Sequence, residues 1–211
     1  MRTIIFGDIH GCYEEWQELL GKVGASDEDT LISVGDLVCK GPYTKKVLDL
    51  AMSLPNLKVV MGNHDLSLLK RWQNRQLDSL TTEYQQDAVR DMGAGLDNYM
   101  NFIAGWPYYI EHPDYLVVHA GLRPGIPVHE QCADDLVRLR TVEPEGEPWW
   151  EFYTDPKLVV HGHWAAQGLV VRENVIGLDS GCVYGKRLSA VILPERQIVS
   201  VPARRAYQPI I

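Results

Sequence analysis

Several things are scarce in this chain of 211 residues. Cysteine occurs only four times, as Cys12, Cys39, Cys132 and Cys182, and no two form a Cys-x-x-Cys pair. That spacing excludes a zinc ribbon or a thioredoxin-like motif and leaves reduced thiols as the expectation. Positive charge is short: 20 Lys and Arg stand against 28 Asp and Glu, a formal charge of −8. A broad basic face for long nucleic acids or an anionic membrane is therefore not expected. No apolar run approaches the roughly 18 residues that a membrane span needs. The first residues, Met1-Arg2-Thr3-Ile4-Ile5-Phe6, enter a strand pattern without the apolar core of a signal peptide, so a cytoplasmic location is expected. There are no internal repeats and no low-complexity linker. Hydrophobic residues at 45% and charged residues at 23% are the composition of a packed domain.

The pattern that is present alternates short apolar runs with amphipathic stretches. Residues 2–6, 30–34 and 57–61 read as buried strands, each closed by glycine. Trp16, Leu19, Leu20 and Val23 recur at helical spacing before Gly24, and 43–53 reads as a second helix. Residues 66–104 are polar helix formers, read as a helical insertion. After Pro107 come short β-rich runs at 108–110, 115–119, 157–161, 168–172, 174–178, 187–193 and 196–201. Between them, 141–148 reads as an acidic, proline-broken loop. The expectation is a single domain over 1–211 of the α/β class, two mixed β-sheets packed as a sandwich and flanked by helices.

Chemistry gathers where strands end. Gly7-Asp8-Ile9-His10-Gly11, Gly35-Asp36, Gly62-Asn63-His64-Asp65, His119-Ala120-Gly121 and His161-Gly162-His163 each follow an apolar run. Carboxyl ends of strands in α/β sheets converge on one crevice, where ligands bind. Asp, Asn and His without soft thiolates suit Mn²⁺, Fe, Zn²⁺ or Co²⁺. Five such ends point to two ions sharing a carboxylate, the arrangement that activates water and clamps both oxygens of a displacement. An extended chain at 8–10 would put Asp8 and His10 on one face, and the neighbouring glycines would supply sharp turns.

These motifs, with Asp36-Leu37-Val38-Cys39-Lys40-Gly41-Pro42, Gly162-His163-Trp164-Ala165 and Leu178-Asp179-Ser180-Gly181-Cys182-Val183-Tyr184-Gly185, resemble the calcineurin-like metallophosphoesterases. Within them the chain is similar to the symmetrical bis(5′-nucleosyl)-tetraphosphatases and their shorter relatives. The resemblance implies Asp8, His10 and Asp36 on a first ion, and Asn63, His119 and His163 with the bridging Asp36 on a second, Mn²⁺ being expected and Ni²⁺ also compatible. It implies attack by a metal-bridging hydroxide, His64 as general acid, and Lys40 where many members have a phosphate-binding arginine. It also implies substrate contacts from Arg140 and Tyr184. The motifs resemble the phosphoprotein-phosphatase branch of that family, and Cys39 stands where its protein phosphatases have an aspartate, and Asp65 where they have a glutamate.

Other readings stand beside these. His161 reads as a supporting or core histidine, and His112 and His129 as solvated. Cys39 reads as a small filler against the alternative of a reactive thiol. Trp149 and Trp150, with Phe152 and Tyr153, are read as core or lid, with base stacking as the sharper alternative. Arg138 and Arg140 either reach phosphate or form a solvated face. The leading function is hydrolysis of dinucleoside polyphosphates such as diadenosine tetraphosphate. The alternatives are a Ser/Thr or Tyr protein phosphatase, a broad phosphomonoesterase or polyphosphatase, and a non-catalytic phosphate-binding regulator.

Overall fold

The chain begins with a buried strand, β1 (Thr3–Phe6), in a computed structural model that describes residues 2–142 and 146–209. Helix α1 (Tyr13–Val23) follows, burying Trp16, Leu19 and Val23, and ends where Gly24 turns left-handed at φ 59°. That cap is open to glycine at little steric cost. Next come β2 (Thr30–Ser33), α2 (Thr44–Ser53) and β3 (Leu57–Val59). Helices α3 (Asn63–Gln73), α4 (Glu83–Met92) and α5 (Leu96–Ala104) fill the polar region. Helix α3 starts earlier than the sequence pattern indicates, so Asn63 and His64 sit in its first turn. The cause is Asp65, whose carboxylate accepts the Gly62 N–H at 3.1 Å and closes the helix start.

The second half contributes β4 (Tyr109–Glu111), β5 (Tyr115–Val118), α6 (Ala133–Arg138), β6 (Thr141–Val142) and β7 (Glu147–Pro148). It continues with β8 (Leu158–His161), β9 (Val170–Val171), β10 (Val175–Gly177), β11 (Arg187–Leu193) and β12 (Gln197–Pro202). The stretch read as a loop at 141–148 is instead, at its two ends, a two-stranded ribbon pairing Thr141 with Pro148 and Val142 with Glu147. Its middle, 143–145, lies outside the described residues. No helix among the described residues is long and apolar enough to cross a membrane.

Two five-stranded mixed sheets result, in the orders β12-β11-β1-β2-β3 and β4-β5-β8-β10-β9. In the first, β1, β2 and β3 run parallel, β11 runs antiparallel to β1, and β12 runs antiparallel to β11. In the second, β5, β8 and β10 run parallel, with β4 and β9 antiparallel at the edges. The period of two along each strand explains the layers. Ile5, Ile32, Val191, Val117, Val160 and Ile176 form one cluster between the sheets. Ile4 and Phe6 point the other way, into a cluster with Trp16, Leu19, Leu48 and Met100 of the helices. On the far side Val118, Val159 and Val175 pack with Leu136 of α6 and with Trp149 and Trp150. The sandwich brings the carboxyl ends of β1, β2, β3, β5, β8 and β10 to one rim.

Candidate metal centre and substrate pocket

Asp36 stands at the middle of that rim. Its Oδ2 lies 3.4 Å from His10 Nε2 and 3.5 Å from His119 Nε2, one imidazole from each sheet. Its Oδ1 accepts the His64 backbone N–H at 2.9 Å. The turn that presents it is held by Asp65, whose carboxylate accepts the N–H groups of Asp36, Leu37 and Val38 at 2.7, 3.1 and 3.2 Å.

Each imidazole is held from behind. His119 Nδ1 lies 2.8 Å from the Val34 carbonyl and His10 Nδ1 lies 3.1 Å from the Val38 carbonyl. A carbonyl only accepts, so the ring proton belongs on Nδ1 and each Nε2 turns a lone pair inward. His119 Nε2 then faces Asp36 Oδ2 and, at 3.0 Å, Asn63 Oδ1, which is also 2.9 Å from His163 Nδ1. Asp8 accepts the His163 N–H at 3.1 and 3.2 Å with its two oxygens. Lone pairs pointed at a carboxylate repel unless a cation lies among them. The donor set of carboxylate, amide oxygen and imidazole therefore fits hard to borderline divalent ions. Ligand atoms of Asp8, Asp36 and His119 lie within 4.8 Å of one another, and so do those of His10, Asp36 and His64. These triads cut across the two ligand sets implied by the resemblance, and Asp36 is common to both.

Electrostatics agree with the geometry. Burial, then Asp179 and Asp36, pushes the Asp8 carboxyl up. Burial pushes the imidazoles of His10, His119 and His163 down, into the neutral form that ligates. For Asp36 burial works upward, but attraction to the protonated forms of His119, His64 and His10, and to Lys40, outweighs it and holds the carboxyl well below the usual range. Lys40 is raised, because Asp36, Tyr184 and Asp8 outweigh the opposing effect of burial.

Backbone strain collects here. Seven non-glycine residues among those described have positive φ, and five are His10, Asp36, Cys39, Lys40 and His163, at 46° to 71°. The sharp turns thus fall on residues of the candidate site itself, and at His10 the chain does not simply continue extended. Such left-handed residues persist only where the surroundings over-determine them. Neighbouring glycines serve close approach. A Cβ on Gly162 would collide with the Asp8 carboxylate, and one on Gly41 with the His10 carbonyl.

Beside the cluster lies a cavity of about 380 Å³ lined by His64, Lys40, Arg140, Trp164, Asp179, Tyr184 and Lys186, among others. Lys40 Nζ is 3.3 Å from His10 Nε2 and 5.5 Å from the centre of the Tyr184 ring. Arg140 lies over Trp164 at 5.9 Å, whereas Arg138 pairs with Asp134 on the surface at 3.1 Å. The His64 ring stands edge-on between His10 and Tyr84 of α4. Burial, opposed by Asp36 and assisted by Lys40, pushes it down to about 4.

Cys39 is fully buried, and burial with Asp65 and Asp36 pushes its thiol up, so it fills space. Trp149 and Trp150 are buried around His161 and cannot stack a base; Trp164 is the tryptophan at the cavity. His112 and His129 are exposed. Sequence reasoning missed Asp179, Asp65, Trp164 and Lys186 as site residues. Asp179 had a usable signal, since it follows the apolar run of β10 as Asp8 follows that of β1.

Residues 1–197 match the family described as calcineurin-like phosphoesterase. The chain is 28% identical over 280 aligned positions to a protein of Erwinia tasmaniensis named "Bis(5'-nucleosyl)-tetraphosphatase, symmetrical", covering 99% of this chain and all of that one. It is 29% identical over 232 positions to one of Anoxybacillus flavithermus named "Bis(5'-nucleosyl)-tetraphosphatase PrpE [asymmetrical]", covering 96% and 95%. A crystal structure described as that of "a putative diadenosine tetraphosphatase" superposes with a TM-score of 0.82 at 36% identity, covering 96% of this chain and 93% of the other.

Proposed function

The chain belongs to the calcineurin-like phosphoesterases and is a phosphoester hydrolase, and on that premise we propose that it cleaves dinucleoside polyphosphates at the strand-end cluster. Diadenosine tetraphosphate is the leading substrate, with two nucleoside diphosphates as products. The observation that carries this reading is the Asp36 carboxylate shared between His10 and His119 beside a cavity with cationic and aromatic walls. The names of the relatives in Erwinia tasmaniensis and Anoxybacillus flavithermus support the substrate class.

The family implies divalent ions, and we read two, with Mn²⁺ as the working metal. Asp8, His10 and Asp36 would hold one; Asn63, His119, His163 and Asp36 the other. Bound there, the ions supply charge neutralisation and a water activated for in-line attack on phosphorus. The chain's own residues do the rest. Lys40, a point charge kept cationic by its carboxylate neighbours, pairs with equatorial phosphoryl oxygens as charge develops on them. Arg140 and Lys186 line the same cavity and receive the further phosphates of a polyphosphate chain. Trp164 and Tyr184 offer ring faces to a nucleobase. His64 is neutral in the free protein. A phosphate bound beside it favours the imidazolium, which gives its proton to the departing oxygen. A substrate of this kind places the work in the cytoplasm.

The test is to incubate Mn²⁺-loaded protein with diadenosine tetraphosphate and separate the nucleotides. ADP as the sole product is expected. ATP with AMP would keep the substrate class and overturn symmetrical cleavage. A kcat/KM at least about tenfold higher on phosphopeptides, polyphosphate or an aryl phosphate would overturn the reading in favour of that class.

A further inference from the structure

Cys12 and Cys182 are far apart in sequence, yet fold side by side. The ligand atoms of Cys12, Glu15 and Cys182 all lie within 4.8 Å of one another, and all three residues are buried. Glu15 is oriented from outside the trio: its Oε1 accepts the Arg204 N–H and the Tyr207 hydroxyl, both at 2.8 Å. Its Oε2 has no exposure and no hydrogen-bond partner among the described residues. A buried carboxylate oxygen without a donor is costly, and two sulfurs are its company.

We propose that Cys12, Glu15 and Cys182 form a second metal site, independent of the strand-end cluster, for a borderline-soft divalent ion of the Zn²⁺ class. Two thiolates and one carboxylate prefer such an ion over Mn²⁺ or Mg²⁺. Zn–S at ~2.3 Å and Zn–O at ~2.0–2.2 Å need ligand atoms a few ångströms apart, in keeping with separations that are all within 4.8 Å. Each thiol gives its proton to solvent as the ion enters. Cys12 is the residue before α1 and Glu15 lies in its first turn, where the helix terminus favours negative charge. Arg204 and Tyr207 hold Glu15 as outer partners hold ligating carboxylates elsewhere.

An ion at this position joins three segments. Cys12 is two residues from His10, Cys182 lies between Asp179 and Tyr184, and the Glu15 partners belong to the stretch after β12. The ion would therefore stiffen two walls of the cavity from behind without touching substrate.

The test uses the full chain, reduced and stripped with EDTA, then titrated with Co²⁺ while the near-ultraviolet spectrum is recorded. A sulfur-to-cobalt charge-transfer band is the expected result, since the strand-end cluster contains no thiolate. The band should be displaced by Zn²⁺, lost in Cys182→Ser, and kept in Cys39→Ser and His119→Asn. Glu15→Gln should need at least about tenfold more Co²⁺ to reach it. No sulfur band in the wild-type protein at saturating Co²⁺ overturns the proposal, whatever the variants do. So does a band that survives Cys182→Ser. A Cys12–Cys182 disulfide formed with glutathione disulfide, where Co²⁺ gives no band, assigns the pair to redox chemistry instead.

Discussion

Asp36 faces two imidazole nitrogens with one oxygen and accepts the His64 amide with the other, so its substitution tests several contacts at once. Asp36→Asn preserves shape and removes the charge. Turnover of an aryl phosphate with Mn²⁺ should fall by roughly 10³-fold or more, with far-ultraviolet circular dichroism unchanged. Lys40→Met should lower kcat/KM by about 10²–10³-fold and Lys40→Arg by less, read from steady-state rates on one substrate. His161 offers a cleaner pH experiment, since it is buried between Trp149 and Trp150 and is read as no ligand. Burial pushes its imidazole from 6.5 down to about 4. Below pH 6.5 the unfolded chain protonates this residue and the folded one does not, so its contribution to stability is lost as pH falls from 6.5 towards 4. Urea midpoints of metal-free protein across that window should fall more steeply for the wild type than for His161→Phe, by up to roughly 3 kcal/mol in total. At this scale Asp8, His10, Asp36, Asn63, His119 and His163 were legible as candidates because each follows an apolar run. Asp65 was opaque for a physical reason: its role is to accept amides of residues 36–38, and sequence spacing does not show which turn a carboxylate will meet.

Strand ends and the turns after them do the positioning. Gly162 links β8 to His163 and lies against the Asp8 carboxylate. Gly162→Ala should therefore lower activity by at least about 10²-fold through misplaced ligands, measured as kcat at saturating Mn²⁺. Gly24→Ala makes the contrast. Its added methyl meets open space, and only the left-handed φ of 59° is penalised. That variant should lose about 1 kcal/mol in chemical unfolding and keep its kcat. Most of the strands and helices α1 and α2 were legible because apolar residues recur with periods of 2 and 3.6. The ribbon of β6 and β7 was not, since two residues per strand carry no period. The start of α3 was missed because its closure depends on Asp65 reaching back to Gly62, a local contact hidden under a strand-end motif.

The whole molecule is a clamp whose jaws are two sheets. His10 and Asp36 come from one and His119 and His163 from the other, so ions held between them would stabilise the packed sandwich over the unfolded chain. Removing divalent metal with EDTA should lower the melting temperature, and Mn²⁺ at 100 times its dissociation constant should restore about 2.7 kcal/mol, read by calorimetry. Asp36→Asn should flatten that response. The layered class was readable from βαβ units followed by β-rich runs. The meeting of Cys12 with Cys182 was not, because it depends on where sheet packing carries residues distant in the chain.

The order β12-β11-β1-β2-β3 also has a consequence for how the protein is made. Strand β1 is made before the other strands described, yet one of its two neighbours, β11, is Arg187–Leu193. Asp8 and Asp36 therefore wait through most of translation for His119 and then His163. A nascent chain halted before β8 would carry Asp8, His10, Asp36, Asn63 and His119 but not His163. The candidate ligand set, and the pairing of β1 with β11 behind it, would be complete only after β8 to β11 have been made.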